Sequence, residues 1–441
     1  MSRSWFLVGV AAALTLATAC DPTTNTSNAG GSGGSGAGSQ GGNGAGTNAG
    51  GAGAGGDDFG GFGGIGQGGA GAGQTGNTCD AAPDEDKDED GFSITAGDCN
   101  DCDKNVNPGA IEVIAEPDEN GMTPQAADED CDMMVDNVAP PCDANLAIGD
   151  TNAFHGANAI ELCQQTSAAE PKWGVLDAKY VRANGAAAPA PNPLQYGIMS
   201  KFGSSVNVQA GASMLALSAG NARDADDPNP CDSQSCHTSG AGTAPPNFPQ
   251  QVCNASSLIF DDVALDLKIR SPKNATGYSF NFRFTSFEYS EWVCTSYNDQ
   301  FIALVNPAPP GSINGNISFD SMNNPVSVNI GFFDVCDQAL CDPFIYASNC
   351  FAGCPSPPVP CCPSGPAELQ GTGFDTWGDA GGTSWLKTQA PIKGGSEVNI
   401  RFTIWDAGDQ NLDSTVLVDN FQWIANGGTV AIGTVEVPEP K

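Results

Sequence analysis

Residues 278–285 read Tyr-Ser-Phe-Asn-Phe-Arg-Phe-Thr, so that large aromatic side chains alternate with small or polar ones. Successive side chains of a β-strand point to opposite faces, and this period of two therefore predicts a strand with one face in a core. The same alternation recurs in segments 263–269, 326–332, 398–404 and 416–423. Together they predict an all-β domain over residues 144–426, an antiparallel β-sandwich of jelly-roll type.

The remaining local patterns of this domain predict smaller features. Segments 416–418 and 421–423 indicate a closing pair of strands, and Ile160 and Cys163 fall on one face of a helix predicted over 157–165. The tail, residues 427–441, has little apolar periodicity, and we expect it to be weakly ordered.

The N-terminus has the pattern of an export signal over residues 1–19. One positive charge, Arg3, precedes a short apolar run that is too short for a membrane span, and small residues precede Cys20. This pattern suits lipoprotein processing at Cys20 as well as ordinary signal cleavage. The chain has 17 cysteines, and setting Cys20 aside leaves an even number, as a disulfide framework requires. We therefore expect Cys20 to carry lipid.

The segment that follows supports an anchor. Residues 20–78 consist mainly of Gly, Ala, Ser and Asn, and such a composition cannot bury enough apolar surface to offset its ordering entropy. It predicts a disordered tether, which is useful if its first residue is fixed to a membrane. We expect an exported, membrane-anchored lipoprotein at the outer membrane or cell surface.

The charge and the histidine content exclude some functions. With 51 Asp plus Glu against 16 Lys plus Arg, the net charge is −35, which excludes nucleic acid as a partner because phosphate binding needs a basic surface. The two histidines, His155 and His237, lie in no nucleophile or metal motif. We therefore do not expect an enzyme.

Residues 79–143 form an acidic module with 20 Asp plus Glu. Asp86, Asp88 and Asp90 alternate before Gly91, a spacing that wraps hard oxygen ligands around Ca²⁺. The twelfth position of this loop is Gly97 rather than an acid, with Asp98 directly after it. The candidate metal ligands of the module are Asp86, Asp88, Asp90, Asp98, Asn100, Asp101, Asp103, Asp130, Asp132 and Asp136.

Three runs in this module, 97–103, 106–112 and 128–136, follow one another in the order of a known motif. They resemble the metal-binding repeat of bacterial surface proteins that is named after a secreted copper-binding protein of methanotrophs, over residues 84–137. The match departs at Ile114, where the repeat has a Cys, and at Met133, where it has a Gly. The resemblance implies a bound metal, with Cys102 as a substitute for the missing disulfide partner.

The identity of that metal is argued from the donor atoms. Copper favours imidazole and soft sulfur, whereas this module has no His and its cysteines are expected to be oxidised, so its oxygens favour Ca²⁺. A solvated acidic spacer without a specific ion is the alternative. The pairs Cys99/Cys102 and Cys231/Cys236 also have zinc-like spacing, although disulfides suit an exported chain better.

Four stretches of the β-domain carry a second resemblance: 211–218, 282–292, 297–304 and 413–421. They are similar to the choice-of-anchor L domain of secreted bacterial proteins, over residues 145–425. The resemblance implies a surface or secreted protein and indicates location and fold rather than an activity. Polar residues in these stretches either hold strand ends, with one structural metal, or recognise a ligand: Glu288, Asn298, Asp299, Asp419 and Asn420.

The expected function is therefore binding, with a Ca²⁺ module and a β-sandwich that adheres to glycan, matrix or a neighbouring cell. Two alternatives remain at this stage. Paired carboxylates could hydrolyse an extracellular polysaccharide, although no pair stands out in the sequence. A metal-scavenging surface protein is the other alternative, and it would require reduced cysteines.

Overall fold

The structure is a computed structural model that describes residues 80–437, except for 115–116, 118–120, 124, 250–254, 290–291, 294, 329–332, 337–361, 363, 376–379 and 426–427. The predicted signal segment, Cys20 and the Gly-rich tether lie outside the described residues. Among the helices that are described, none is both long and apolar enough to cross a membrane.

Strands dominate the secondary structure. They are β1 (Gly174–Val181), β2 (Tyr196–Met199), β3 (Lys201–Phe202), β4 (Val206–Asn207), β5 (Met214–Ser218), β6 (Ile259–Arg270), β7 (Ala275–Ser286), β8 (Gln300–Asn306), β9 (Val326–Ser327), β10 (Phe333–Val335), β11 (Gly381–Thr383), β12 (Leu386–Pro391), β13 (Glu397–Ala407), β14 (Ser414–Ala425) and β15 (Gly433–Glu436). One α-helix, α1 (Ala153–Asn158), and three short 3-10 helices, Ile94–Ala96, Pro193–Gln195 and Gly365–Glu368, accompany them in the described part of the chain.

The strands form two main sheets. The smaller sheet has the order β1-β6-β13-β8-β9, and the larger has the order β10-β11-β7-β14-β5-β2. In the larger sheet β12 also pairs with β7, and β15 pairs with β12. A two-stranded ribbon, β3-β4, stands apart. All pairs of named strands are antiparallel, and the predicted fold class, an all-β sandwich, is confirmed.

The core lies between the sheets, where the alternation predicted it. Tyr278, Phe280, Phe282 and Phe284 on β7 are fully buried, and the ring of Phe280 meets that of Phe402 on β13 edge-on at 4.9 Å. Full burial of such a side chain stabilises the fold by about 2–3 kcal/mol. The aromatic face of β7 thus joins the two sheets.

Four local predictions differ from the structure. Segments 416–418 and 421–423 belong to one strand, β14, whose alternation breaks where the register shifts between Asp419 and Gln422 and Asn420 adopts a φ of 54°. The helix spans Ala153–Asn158 instead of 157–165. It begins where the Asn152 side chain accepts from the N–H of Phe154 at 3.1 Å, and the φ of 67° at Glu161 rules out a helix through the rest of the predicted segment.

The other two differences concern strand length and the tail. In segment 326–332 the strand β9 covers only Val326–Ser327, and residues 329–332 lie outside the described residues. In the tail, for which little order was expected, Gly433–Glu436 form β15 on the edge of β12. Backbone pairing rather than side-chain pattern therefore orders part of the tail.

Every cysteine in the described part of the chain is disulfide-bonded. The pairs are Cys99–Cys131, Cys142–Cys163, Cys231–Cys236 and Cys336–Cys362, and Cys102 is disulfide-bonded as well. The disulfide interpretation is confirmed for these nine residues. A sulfur in a disulfide offers no thiolate for zinc, so the zinc-like spacings have a structural origin.

Candidate metal centre

The first acidic loop, residues 86–101, is shaped by carboxylates that bond to its own backbone. Asp86 accepts from the N–H groups of Asp90 at 3.1 Å and Gly91 at 2.9 Å, and Asp88 Oδ1 accepts from Asp90 at 3.2 Å. These are Asx turns, in which a short acidic side chain replaces a backbone acceptor. The tight turn also needs left-handed backbone at Gly91, with a φ of 101°.

Carboxylates converge inside this loop. One oxygen from each of Asp88, Asp98 and Asp101 lies within 4.8 Å of the others. One oxygen of each is occupied by a backbone donor: Asp90 N for Asp88 at 3.2 Å, Asn100 N for Asp98 at 2.8 Å and Lys87 N for Asp101 at 2.9 Å. The backbone therefore fixes the direction in which each carboxylate points.

The second oxygen of each carboxylate is buried and has no hydrogen-bond partner, and the same is true of Asp90. Asp98 and Asp101 are only 4% and 1% exposed. Buried polar atoms are normally paired, because an unpaired one loses its hydration without compensation. Four such oxygens in one loop indicate a place for a cation.

Burial sets the electrostatics of the loop. It raises the pKa of Asp90 to about 6 and that of Asp98 to about 6, and the neighbouring carboxylates add to the effect. Burial also raises the pKa of Asp88, and negative charge on Asp101 raises it further. The ionised carboxylates lose hydration by burial and also repel one another. A bound divalent cation would offset both the lost hydration and the repulsion.

The first acidic loop is docked on the turn between β6 and β7. Lys273 Nζ donates to the carbonyl of Asp90 at 2.9 Å and lies 5.8 Å from the ring centre of Phe92. Asn274 makes two hydrogen bonds to the backbone of Ile111, at 3.0 and 2.8 Å. The acidic module is therefore attached to the β-domain by specific contacts.

A second acidic loop, residues 128–136, repeats the turn of the first. Asp128 accepts from the N–H groups of Asp132 and Met133, both at 3.0 Å. These are the fourth and fifth residues after it, and Asp86 accepts from the residues at the same two positions, Asp90 and Gly91. Glu112 reaches this loop from outside and accepts from Asp130 N at 3.2 Å and Asp136 N at 2.6 Å. One oxygen from each of Glu112, Asp128 and Asp130 lies within 4.8 Å of the others.

Sequence reasoning missed Glu112 and Asp128 as candidate ligands. Asp128 could have been found, because Asp128, Asp130 and Asp132 have the alternate spacing of Asp86, Asp88 and Asp90. Glu112 ends run 106–112 of the metal-binding-repeat resemblance, but it lies 16 residues before Asp128, and the alternate spacing of acids does not include it. Burial raises its pKa to about 7, which marks it as part of the acidic group.

The other predicted ligands of the module occupy its margins. Asn100 contributes backbone groups, as its carbonyl accepts from Asp103 N at 2.9 Å. Asp103 Oδ1 accepts from Asn105 N at 3.2 Å. Asp132 is exposed and both of its oxygens accept hydrogen bonds, whereas Asp136 keeps one buried oxygen without a partner. These residues shape the loops more than they line the convergent oxygens.

The five predicted site residues of the β-domain lie in two places. Glu288, Asn298 and Asp299 are together near the start of β14, where Ser414 Oγ donates to Asp299 at 2.6 Å. Asp419 is five residues further along β14, a separation of about 17 Å at the usual strand rise. It accepts from Gln209 N at 2.6 Å, and its own Oδ1 accepts from Asn420 N at 2.6 Å.

Strand pairing adds residues to the first of these places. Gln300 on β8 pairs with Trp405 on β13, which puts Asp406 beside Asp299. Burial raises the pKa of Asp406 well above its usual value and that of Asp299 to about 7, and the charge of Asp299 raises the pKa of Asp406 further. Asp406 gave no signal in the sequence, because its partners lie more than 100 residues away.

Asp419 belongs to a different acidic group. It lies beside Glu161, and burial together with the charge of Asp419 raises the pKa of Glu161. Asp143 Oδ2 accepts from Ser213 N at 2.7 Å nearby. Asp419 and Asn420 are therefore not part of one site with Glu288, Asn298 and Asp299.

Comparison with known proteins gives the family. The model of the choice-of-anchor L domain matches residues 161–421, more than half of the chain. Neither a curated protein nor a solved structure matches the chain. The match supports a surface-associated, exported β-rich protein. The chain belongs to the choice-of-anchor L domain family.

Proposed function

We propose that this protein is a cell-surface lipoprotein whose acidic module binds Ca²⁺ and whose β-sandwich adheres to a surface ligand. The observation that carries the Ca²⁺ part is the set of four buried carboxylate oxygens without partners on Asp88, Asp90, Asp98 and Asp101. Ca²⁺ takes six to eight oxygen ligands in a flexible arrangement. The first acidic loop offers carboxylates and backbone carbonyls of this kind.

The donor set argues for Ca²⁺ over softer metals. The acidic module contains no histidine, and its described cysteines are in disulfides. Copper and zinc prefer imidazole and thiolate, so a scavenger of those metals would need donors that this loop lacks. The resemblance to a metal-binding repeat supports a bound ion and does not carry copper with it.

Because Lys273 and Asn274 hold the acidic module on the β-domain, a bound ion would stabilise the docked module. Without a cation, repulsion among the carboxylates opposes the docked form of the first acidic loop. Two carboxylates about 4 Å apart repel by about 4 kcal/mol at an effective dielectric constant near 20. With Ca²⁺ bound, the module becomes a rigid connection between the N-terminal tether and the β-sandwich.

Titration of a soluble chain that starts at Asp21 tests the Ca²⁺ proposal. Calorimetry should show binding of Ca²⁺ in the ~0.1–1 mM range of extracellular modules, weaker binding of Mg²⁺ and no preference for Cu²⁺. Asp98→Asn should weaken binding at the first acidic loop about 100-fold. The control is Asp84→Asn, because Asp84 is exposed and bonds to Thr95 outside the convergent group. No heat with millimolar Ca²⁺ would contradict the proposal.

Lipid attachment is proposed at Cys20 and is tested separately. Cys20→Ser should move the protein from the membrane fraction to the soluble fraction of the producing cell. Retention of the variant in the membrane fraction would refute the anchor.

The adhesive role is proposed for the β-sandwich, on which Trp292 and Tyr297 are half-exposed and pack edge to face at 5.2 Å between ring centres. Such a pair can stack on a sugar ring. A glycan array should detect binding by the chain from Asp21, and a Trp292→Ala, Tyr297→Ala variant should lose it. An array without any signal, with and without Ca²⁺, would contradict glycan adhesion.

A further inference from the structure

A second group of carboxylates is buried at one end of the β-sandwich. Glu288 follows β7, Asp299 precedes β8, Asp406 lies near the end of β13, and Asp413 precedes β14. Their exposed fractions are 2%, 0%, 1% and 4%. The four residues come from strands of both sheets, so this group bridges the sandwich at that end.

Glu288, Asp299 and Asp406 lie against one another, and Asp413 is near enough for its charge to act on Asp406. Glu288 Oε2 accepts from Asp299 N at 3.2 Å, and Asp299 accepts from Ala407 N at 2.9 Å and from Ser414 Oγ at 2.6 Å. The carboxyl groups of Asp299 and Asp406 are in contact. Asp413 Oδ2 accepts from Cys236 N at 2.7 Å.

Several polar atoms of this group have no partner. Both oxygens of Asp406, Oδ1 of Asp413 and both side-chain atoms of Asn298, which is 0% exposed, are buried without a hydrogen bond. Asp406 points at the carboxyl of Asp299, which is another acceptor. In the part of the chain that the structure describes, none of the four acids forms an ion pair.

Two acids on β6, buried Asp262 and half-buried Asp266, show the usual pairing with arginine. Asp262 pairs with Arg182, and Asp266 pairs with Arg401 at 3.0 Å. The charges that face the carboxylate group are further acids instead: Asp409 near Glu288 and Asp299, and Asp261 near Asp413. A buried charge normally has a paired counter-charge or a metal ion, and here the protein supplies no cation.

We propose that Glu288, Asp299, Asp406 and Asp413, together with the Asn298 amide oxygen, bind one Ca²⁺ ion inside the β-sandwich. The site is separate from the acidic module and does not rest on the function proposed for it. Its donors are all oxygens, which suit Ca²⁺ rather than zinc or copper, and the nearby Cys231–Cys236 pair is oxidised. The ion ties the strand ends of the two sheets together.

The experiment uses the soluble chain from Asp21 with both acidic loops disabled by Asp98→Asn, Asp101→Asn, Asp128→Asn and Asp130→Asn, each of which removes a convergent carboxylate. Native mass spectrometry counts the Ca²⁺ ions retained, and thermal unfolding with Ca²⁺ or EDTA gives the change in Tm. This background chain should retain one Ca²⁺ and lose Tm by several degrees in EDTA. Adding Asp406→Asn should remove both the ion and the EDTA effect.

Asp266→Asn is the matched control, because it removes a carboxylate from the same sheet that is paired with Arg401. It should leave the retained ion in place. If Asp406→Asn does not fold, the background chain alone decides, with Asn298→Ala as a second variant that should lower Ca²⁺ occupancy. A background chain that retains no Ca²⁺ and has the same Tm in Ca²⁺ and in EDTA would overturn the proposal. Protons would then be what neutralises the buried carboxylates.

Discussion

The two acidic loops have the same backbone turn and different surroundings. In both, the first Asp accepts from the fourth and fifth residues after it, and the residue at the sixth position has a positive φ: 101° for Gly91 and 76° for Met133. The seventh residue of the first loop, Phe92, is 7% exposed, whereas its counterpart in the second loop, Met134, is 56% exposed.

This difference shows that the spacing of the acids and the burial of the loop have separate effects. Alternate acids are sufficient for the turn, because Asx hydrogen bonds are local. The first loop has four buried oxygens without partners and the second has one, on Asp136. The β6–β7 turn covers the first loop. We therefore expect the first loop to bind Ca²⁺ more tightly than the second.

The largest effect should come from removing a buried ligand. Asp98→Asn should weaken Ca²⁺ binding at the first loop about 100-fold, equivalent to about 3 kcal/mol, because it removes a charge from a covered site. Asp132→Asn should weaken the second loop far less, since Asp132 is exposed and its oxygens are already bonded. Calorimetry on both variants checks the difference, and equal losses would remove the distinction between the loops.

The next effect should follow from undocking the first loop. Asn274→Ala leaves two backbone groups of Ile111 without partners. It should therefore destabilise the docked form of the module by about 2 kcal/mol. Hydrogen exchange should accelerate in residues 86–111 and remain unchanged in residues 128–136. Asn399→Ala, at the surface-facing side of β13, serves as the control. Faster exchange in both loops would show that they open as one unit.

How far the sequence predicted these features depends on whether they are local. Alternation along β7 and the Asx turn of the first loop both come from neighbours within a few residues, and both were visible in the sequence. Asp406 was invisible, because only the pairing of Gln300 with Trp405 brings it to Asp299. Glu112 was visible as the end of run 106–112, but only the folded chain brings it to Asp128 and Asp130.

Two predicted elements were wrong because a single backbone angle overrode the side-chain pattern. Apolar periodicity cannot show that Glu161 and Asn420 adopt positive φ values, and these residues end the helix region and break the alternation of β14. Both lie beside Asp419, whose hydrogen bonds hold this part of the chain. Long-range polar contacts thus decide where local patterns stop.

The affinity of the first acidic loop for Ca²⁺ should depend on pH. In the first loop the pKa of Asp90 and Asp98 is about 6 instead of 3.8, so protonation stabilises the ion-free docked loop below pH 4, and this stability is lost as the pH rises through 6. Ca²⁺ must displace these protons, and its apparent affinity should therefore rise about 10-fold per carboxyl between pH 5 and pH 7.5. Calorimetry at the two pH values measures this, and an affinity independent of pH would contradict it.

The smallest effect should come from the sixth position of the second loop. Met133 holds a left-handed backbone that favours glycine, so Met133→Gly should stabilise the loop by about 1 kcal/mol and tighten its Ca²⁺ binding about 5-fold. Met134→Gly is the control, because Met134 is exposed and has no positive φ. Unchanged binding in Met133→Gly would show that the backbone at this position carries no strain.

The most direct test of the account is hydrogen exchange of the soluble chain from Asp21, with disulfides intact, measured in EDTA and in 1 mM Ca²⁺. Ca²⁺ should slow exchange strongly in residues 86–111 and less in residues 128–136. Identical exchange in residues 86–111 under both conditions would contradict the claim that this loop orders around an ion.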